Sequence, residues 1–202
     1  MGTLLPKPLI ALFFGFGILA LVLVGVKITG KQAITRTLPE ASGTSSGRVS
    51  LVFEPASTSV PVGKIQSIIL KAKIRGGSPL EHIDYFKAEI AFPNKSIQMP
   101  RGHYINTGKS GFGKILRVDG PLQANQSGKI AIELAAKSPG DGPKTADTAG
   151  VEKEIVLATI DFVGVNPTDM ATLALSGVQI INNQSKTIAA TGQNGKIQVV
   201  AQ

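Results

Sequence analysis

The stretch RGHYINTGKSGFGK, residues 101–114, combines residue types that can do chemistry: a histidine, a tyrosine and a Gly-Lys-Ser triplet. A phosphate-binding loop requires a glycine, four further residues and then Gly-Lys-Ser or Gly-Lys-Thr, followed by a helix. Here the triplet begins at Gly108, so His103 occupies the position of the first glycine, and the glycine-broken SGFGKILRVDGP follows it. The stretch therefore predicts no nucleotide site. We expect an extended connection, with Tyr104 and Ile105 packed against the edge of a domain and residues 106–111 turning in solvent.

Other catalytic and metal-binding chemistry has few candidates. The chain has no cysteine and two histidines, His82 and His103, whereas a metal site built on histidine normally needs two or three convergent ligands. No Gly-x-Ser-x-Gly elbow is present, and the acidic pairs are sparse. They are Glu81 with Asp84, Asp141 with Asp147, and Glu152 with Glu154. We therefore predict no catalytic residues, no metal site and no cofactor, and we interpret both histidines as solvated loop residues. The chain is not expected to be an enzyme.

The net charge of +8 raises the question of an anionic partner. Several cations flank the N-terminal apolar segment, and the others are scattered singly among acids, without a run of Lys and Arg and with little aromatic interleaving. This distribution is typical of a solvated, mildly basic surface. We predict no nucleic-acid partner.

The N-terminal segment indicates a membrane protein. From residue 9 to residue 26 the chain reads LIALFFGFGILALVLVGV, without a charged or strongly polar side chain, and a helix of this length nearly matches the roughly 30 Å hydrocarbon thickness of a bilayer. A cleavable signal peptide is the alternative. Cleavage after Ala33 would, however, put Lys31 at the third position before the cut, where a small residue is usual. We favour an uncleaved transmembrane helix, a signal anchor, over 9–26.

The segments around this helix set the predicted domain boundaries. Residues 1–8 form a short cytoplasmic segment, and residues 27–47, which contain ASGTSSG, form a flexible linker. Charge alone leaves the orientation less clear, because Lys7 and the amino terminus precede the helix, whereas Lys27, Lys31 and Arg36 follow it and argue mildly for a cytoplasmic C-terminus. The β domain predicted for 48–202 is of a kind typically found outside cells. It therefore favours a single-pass protein of the cell membrane, with its C-terminal domain outside the cytoplasm.

From Val49 onward the pattern is that of an antiparallel sandwich. Short alternating or β-branched runs, such as KIQSIILKAKI and HIDYFKAEIAF, are separated by Gly, Pro, Asn and Ser. In the first run the even positions from Ile68 are predicted to face the core, while Lys71 and Lys73 face water. In the second run the doubled aromatic, Tyr85 and Phe86, indicates a bulge or a switch of faces. No stretch after Val49 has the sustained period of a helix.

The order of these runs resembles the cohesin family. The start VSLVFEPASTSVPVGKIQSIILKAKI is similar to the first strands of cohesins, and IDYFKAEIAFPNKSIQM is similar to the next segment, with FPN where the family often carries a Tyr-Asp-Pro turn. The resemblance continues in GKIAIELAAKSPG, in LATIDFVGVNPTDMATLALSGVQIINNQSKTI and in NGKIQVV, so that it covers most of residues 49–200. It implies an all-β domain, a nine-stranded jelly-roll sandwich related in shape to carbohydrate-binding modules.

The resemblance also implies a function. Cohesins in cellulosomes hold dockerin modules on one sheet face, so we expect a membrane-anchored module that binds a protein, either dockerin-like or another surface protein. The alternative is a carbohydrate-binding module associated with the recognition or breakdown of a polysaccharide. It is disfavoured because the chain has no Trp to stack on a sugar ring, and its two tyrosines are Tyr85, in a strand expected to be buried, and Tyr104. The candidate binding residues are Phe92, Asn94, Lys95 and Tyr104.

Three Asn-x-Ser sequons occur, at Asn94, Asn125 and Asn183. Each is a potential acceptor of a glycan in a system that glycosylates. In an Asn-rich surface chance explains them equally well.

Overall fold

A computed structural model describes residues 43–146 and 151–202. The predicted cytoplasmic segment 1–8, the predicted transmembrane helix 9–26 and most of the predicted linker 27–47 lie outside the described residues. Among the residues that are described, no helix is long and apolar enough to cross a membrane. The first strand begins at Thr44, within the predicted linker.

The described residues form eleven strands and one short helix. The strands are β1 (Thr44–Glu54), β2 (Ser57–Pro61), β3 (Ile65–Arg75), β4 (Ile83–Ala91), β5 (Ile97–Gln98), β6 (Lys114–Val118), β7 (Lys129–Ala135), β8 (Lys153–Gly164), β9 (Thr168–Asn182), β10 (Thr187–Gly192) and β11 (Gly195–Val200). The helix is α1 (Pro121–Ser127), between β6 and β7.

These strands build two packed sheets. The first sheet has the order β5-β8-β3-β1-β10, and the second has the order β6-β7-β4-β9-β11-β2. A single residue pair, Thr187 with Ile181, joins β10 to β9 and so links the sheets at one corner. Phe92, directly after β4, meets Phe162 of β8 edge to face at 5.4 Å between ring centroids. Because β4 and β8 are not paired, this contact crosses the space between the sheets.

The core follows the alternation of the strands. In β3 the side chains of Ile68, Leu70, Ala72 and Ile74 are buried, whereas Lys71 and Lys73 lie on the outer face, as predicted. In β4 the doubled aromatic is accommodated by shifts of register against β9, which confirms the predicted bulge. Phe86 joins the core, whereas Tyr85 lies on the outer face, in register with Ala135 of β7.

Two parts of the prediction differ from the structure. The nine-stranded count is not met: the long opening run divides into β1 and β2, and β5 adds a strand of two residues. The helix α1 was not predicted, because it is too short to show a helical period. Pro121 occupies its first turn, and Gly128 ends it in the left-handed conformation at a φ of 66°.

The edge strand β6 is open on both faces. It pairs with β7, and four of its five residues are exposed, including Ile115 and Leu116. Its register shifts between Ile115 and Arg117, so that Leu116 forms an irregularity in the ladder.

Candidate functional site

The stretch 101–114 runs as a connection from β5 to β6, and no helix follows Ser110 before β6 begins. Ile105 is buried, as expected, but two expectations were wrong. Tyr104 does not pack against the edge of the domain, because 77% of its surface is exposed. Residues 106–111 do not simply turn in solvent either, since Thr107 and Ser110 are buried.

Both histidines have partners. Nδ1 of His103 lies 2.8 Å from Oδ2 of Asp161, and the hydroxyl of Ser67 donates to Oδ1 of the same carboxylate at 2.5 Å. These two contacts lower the pKa of Asp161, with the Ser67 hydrogen bond as the larger cause. The serine donates to the aspartate and not to the histidine, so His103 is not placed to take its proton as a general base. The cluster thus holds the connection at His103 against β8 and β3.

His82 corrects the expectation of a solvated loop residue. It is half-buried, and its Nδ1 lies 2.7 Å from the carbonyl oxygen of Gly142. The neighbouring Glu81 is buried, accepts a hydrogen bond from the side-chain amide of Asn182, and accepts another from the hydroxyl of Thr145 at 3.2 Å. These polar groups tie the loop after β7 to the start of β4. In the described part of the chain, no group of three His, Cys, Asp or Glu side chains is placed to hold a metal ion.

The predicted binding residues do not form one site. Phe92 is 5% exposed and belongs to the core, against Phe162. Asn94 donates its amide to the carbonyl oxygen of Asn125 at 2.8 Å and so fastens the turn after β4 to α1. Lys95 is exposed on that turn, and Tyr104 is exposed on the rim of a groove beside α1. Of the four predicted residues, Tyr104 alone lines this groove.

The three sequon asparagines all use their side-chain amides. In addition to Asn94, Asn125 donates to the carbonyl oxygen of Met99 at 2.8 Å, and Asn183 donates to the carbonyl oxygen of Leu80 at 3.1 Å. A glycan on any of these nitrogens would replace one hydrogen of a group that already holds two segments together. Each of the three side chains thus has a structural role.

The outer face of the first sheet carries a ladder of paired charges. Lys71 lies between Glu54 and Glu154, Lys73 contacts Glu154 at 3.0 Å, and further along Arg75 pairs with Glu152. Hydrogen bonds from Lys73 and then Lys71 lower the pKa of Glu154. A groove of about 790 Å³ runs over this face beside β10.

One end of the outer face of the second sheet carries small and uncharged side chains, those of Ala91, Thr172 and Ala174. The rest of this face is charged. Lys87 and Glu133 form an ion pair at 3.3 Å, and Glu89, Lys129 and Lys196 lie on the same face. Met170 is 57% exposed at one end and lines a shallow depression of about 370 Å³ with Ala91, Pro93 and Thr172. The end around Met170 is therefore an uncharged patch on an otherwise charged face.

Tyr85 lies at the other end of the second sheet's outer face. It is 2% exposed, and its hydroxyl has no hydrogen-bond partner among the described residues. Burial, and then the charge of Glu133, raise the pKa of this phenol. Neither Tyr85 in this role nor Met170 was singled out from the sequence. The alternation of their strands places both residues on the outer face of the sheet. It does not show which of the two outer faces of the sandwich is free to bind a partner.

Comparison with known proteins shows the fold. No family model matches the sequence, and no curated protein is significantly similar to it. Among solved structures, a chain of a type I cohesin–dockerin complex from Clostridium thermocellum is similar with a TM-score of 0.57 at 12% identity, covering 80% of this chain and 97% of that one. A cohesin module from a family 33 glycoside hydrolase of Clostridium perfringens gives 0.54 at 14% identity, covering 79% and 100%.

A third similar structure is a cohesin in complex with a dockerin from Acetivibrio cellulolyticus. Its TM-score is 0.52 at 14% identity, and the match covers 76% of this chain and 99% of that one. The described domain therefore has a cohesin-like β-sandwich fold, as the order of the sequence motifs predicted.

Proposed function

We propose that the chain is a protein-binding module whose partner docks on the outer face of the second sheet. The observation that carries this proposal is the contrast between the two outer faces. The centre of a protein interface is depleted in charged residues, because burying a charge removes its hydration. The end of the second face around Met170 offers small side chains from Thr172 and Ala174 with no charge among them, whereas the first face offers the ladder of paired charges.

The geometry of the second face fits a partner with protruding side chains. Alanine and threonine leave the sheet surface flat, so that a helix or a strand of the partner can approach the backbone closely. Met170 adds a flexible, polarisable contact at the rim, of the kind that adapts to different partners. The ion pair of Lys87 with Glu133 supplies charged groups on the same face that can fix the orientation of a bound partner.

The similar structures support a protein partner. Two of them, from Clostridium thermocellum and Acetivibrio cellulolyticus, are cohesin–dockerin complexes. For this chain the proposed partner is a dockerin-like or other surface protein. The role is one of assembly, without catalysis.

The proposed setting is the outer side of a cell membrane, with residues 9–26 as the anchor and residues 27–47 as the spacer. Its support is the uncharged apolar run and the Gly/Ser/Thr-rich segment that follows it. Protease added to intact cells should then digest the domain. Protection in intact cells together with digestion after lysis would reverse the orientation, and a trimmed soluble product would indicate a cleaved signal peptide.

The docking face is tested with a matched pair of alanines. The full-length chain, in a mild detergent, is used to capture proteins from the native envelope. We expect Ala174→Arg, on the second sheet, to reduce capture of the specific partner by about tenfold or more, since a buried unpaired cation costs more than 1.4 kcal/mol. Ala189→Arg, on the outer face of the first sheet, should leave capture unchanged. Thermal unfolding confirms that both variants fold.

The opposite pattern, in which Ala189→Arg abolishes capture and Ala174→Arg retains it, would place docking on the first sheet. A polysaccharide partner is the second candidate. The observation that favours it is the exposure of Tyr104, 77% of whose surface is free to contact a sugar ring. It predicts binding to glycans that Tyr104→Ala abolishes and Ala174→Arg does not.

A further inference from the structure

A groove of about 670 Å³ lies between the segment 98–104 and the helix α1. It is separate from the outer face of the second sheet, because none of the small residues that define that face lines it. Its floor is apolar: Met99 is 2% exposed, and Pro100 and Val163 lie beside it.

Two large apolar side chains stand exposed on the walls of this groove. Tyr104, on the segment after β5, is 77% exposed, and Leu122, on α1, is 73% exposed. They are among the most exposed large hydrophobic residues in the described part of the chain, and they line the same groove. Water in contact with both side chains would be released by an apolar group placed between them.

Both walls are held in place by hydrogen bonds. The side chain of Asn125 accepts from the backbone N–H of Met99 and donates to its carbonyl oxygen, each at 2.8 Å, which fastens α1 to the segment after β5. On the other wall, His103 is fixed by Asp161, and Asn106 exchanges two backbone hydrogen bonds with Thr159. Tyr104 lies between these two anchors. A groove whose walls are already ordered loses little conformational entropy when it binds.

The charge of the groove is positive. Arg101 lines it and forms no ion pair with any of the described residues. The sequence of α1, PLQANQS, contributes no acid to neutralise it. An apolar cleft with one unpaired guanidinium is complementary to an apolar group followed by a carboxylate.

Part of the hydrogen-bonding capacity of the groove is already used, which disfavours a sugar. Each ring of a sugar carries several hydroxyls that need partners, but both polar atoms of the Asn125 side chain are already bonded, and the amide nitrogen of Gln98 donates to the carbonyl oxygen of Asn94 at 3.0 Å. Leu122 also gives no flat surface on which a second ring could stack.

We propose that this groove binds an extended segment of a partner protein, with an apolar side chain held between Tyr104 and Leu122 and a carboxylate paired with Arg101. Tyr and Arg are the residue types that dominate binding energy at protein interfaces, especially around an ordered pocket. The site stands apart from the docking face on the second sheet, so either proposal can fail while the other holds.

The test uses labelled twelve-residue peptides and the full-length chain in a mild detergent, with binding followed by fluorescence anisotropy. Each peptide carries one Leu, Phe or Met followed within three positions by Asp, and each has a counterpart with Lys in place of Asp. We expect the Asp peptides to bind about tenfold more tightly than their Lys counterparts. Arg101→Gln should remove this preference, and Tyr104→Ala and Leu122→Ser should each weaken binding about tenfold.

The matched control is Leu80→Ser, since Leu80 is 81% exposed but does not line the groove. It should leave peptide binding unchanged, as should Ala174→Arg on the docking face. The proposal is overturned if no peptide binds, if Asp and Lys peptides bind equally, or if Leu80→Ser has the same effect as Leu122→Ser. Tyr104-dependent binding of an oligogalacturonate or a cello-oligosaccharide, without peptide binding, would assign the groove to a glycan instead.

Discussion

The two outer faces of the sandwich rest on the same core and differ in how they meet solvent. On the first sheet, Lys71 and Lys73 share Glu154, so that the charges satisfy one another. On the second sheet, the side chains around Ala174 form an uncharged patch in contact with water, beside a charged region that contains Lys87 and Glu133. Every second residue of a strand faces the core and is buried. The residues between them face outward, and their chemistry decides whether that outer face can stay in water or is suited to a partner.

The largest effect on stability is expected at Phe92 and Phe162, whose rings contact each other across the space between the two sheets. Each Phe→Ala change should lower the free energy of unfolding by about 3–5 kcal/mol, because the rings fill one space between the sheets. Denaturant unfolding measures this loss. With the milder change of Phe92 and Phe162 to Leu, the loss of unfolding free energy in the double variant should differ from the sum of the losses in the two single variants by about 0.5–3 kcal/mol.

An additive result for the Phe→Leu pair would contradict a shared core and would make the two faces parts of separately stable units. Leu80→Ala is the control, since this exposed side chain should change the free energy of unfolding by less than about 0.5 kcal/mol.

A smaller effect is expected on the second face, at Tyr85. Its hydroxyl is buried without a partner, so Tyr85→Phe should raise the free energy of unfolding at neutral pH by about 1 kcal/mol. The folded protein holds the pKa of Tyr85 above its ordinary value, whereas the unfolded chain releases the proton near that ordinary value. The stability that depends on the protonated phenol is therefore complete below about pH 10 and is lost as the pH rises further.

Unfolding measured at about pH 9 and about pH 11 separates the contribution of Tyr85 from that of other groups. Tyr85→Phe should lose less stability over this interval than the unchanged chain, and Tyr104→Phe, at an exposed tyrosine, should behave as the unchanged chain does. Destabilisation by Tyr85→Phe at neutral pH would show that the hydroxyl has a partner.

The smallest effect is expected on the first face, at Asp161. Asp161→Asn weakens the contacts with Ser67 and His103 and should lower the free energy of unfolding at pH 7 by up to about 1 kcal/mol, since the carboxylate is partly solvated. The pKa of Asp161 is lowered on folding, so this contribution is present above the ordinary pKa of an aspartate, about 4, and is lost as the pH falls through the folded value.

The difference between the unchanged chain and Asp161→Asn should accordingly shrink as the pH falls below about 4. The exposed Asp169→Asn serves as the control with little effect. A difference that grew below about pH 4 would have the wrong sign and would refute the assigned role of the carboxylate.

Sequence alone was sufficient for the elements whose pattern is strong. The alternation from Ile68 to Ile74 located the core face of β3, and the adjacent aromatics Tyr85 and Phe86 located a bulge, because both signals are local. The cohesin-like order of the strands was predicted from the order of the motifs and agrees with the similar structures.

The candidate site was less predictable, because it depends on contacts between distant residues. Phe92 was chosen for its place in a turn motif, yet its ring fills the core against Phe162, seventy positions along the chain. No sequence pattern pointed to Leu122. It lies across the groove from Tyr104 because two hydrogen bonds between the Asn125 side chain and the Met99 backbone fasten α1 to the segment after β5. Exposure of these side chains is a property of the assembled groove and is not encoded in any short motif.

The irregular edge strand β6 has a consequence for how copies of this domain behave when they are crowded. A regular, uncharged edge offers a row of free N–H and C=O groups on which another chain can add a strand. In β6 the register shift at Leu116 interrupts that row, and Lys114 places a cation beside the interruption, while Arg117 is paired with Asp119. Two such edges brought together would mismatch at the irregularity and place one lysine near another, so neighbouring copies at high density are not expected to pair into a continuous sheet.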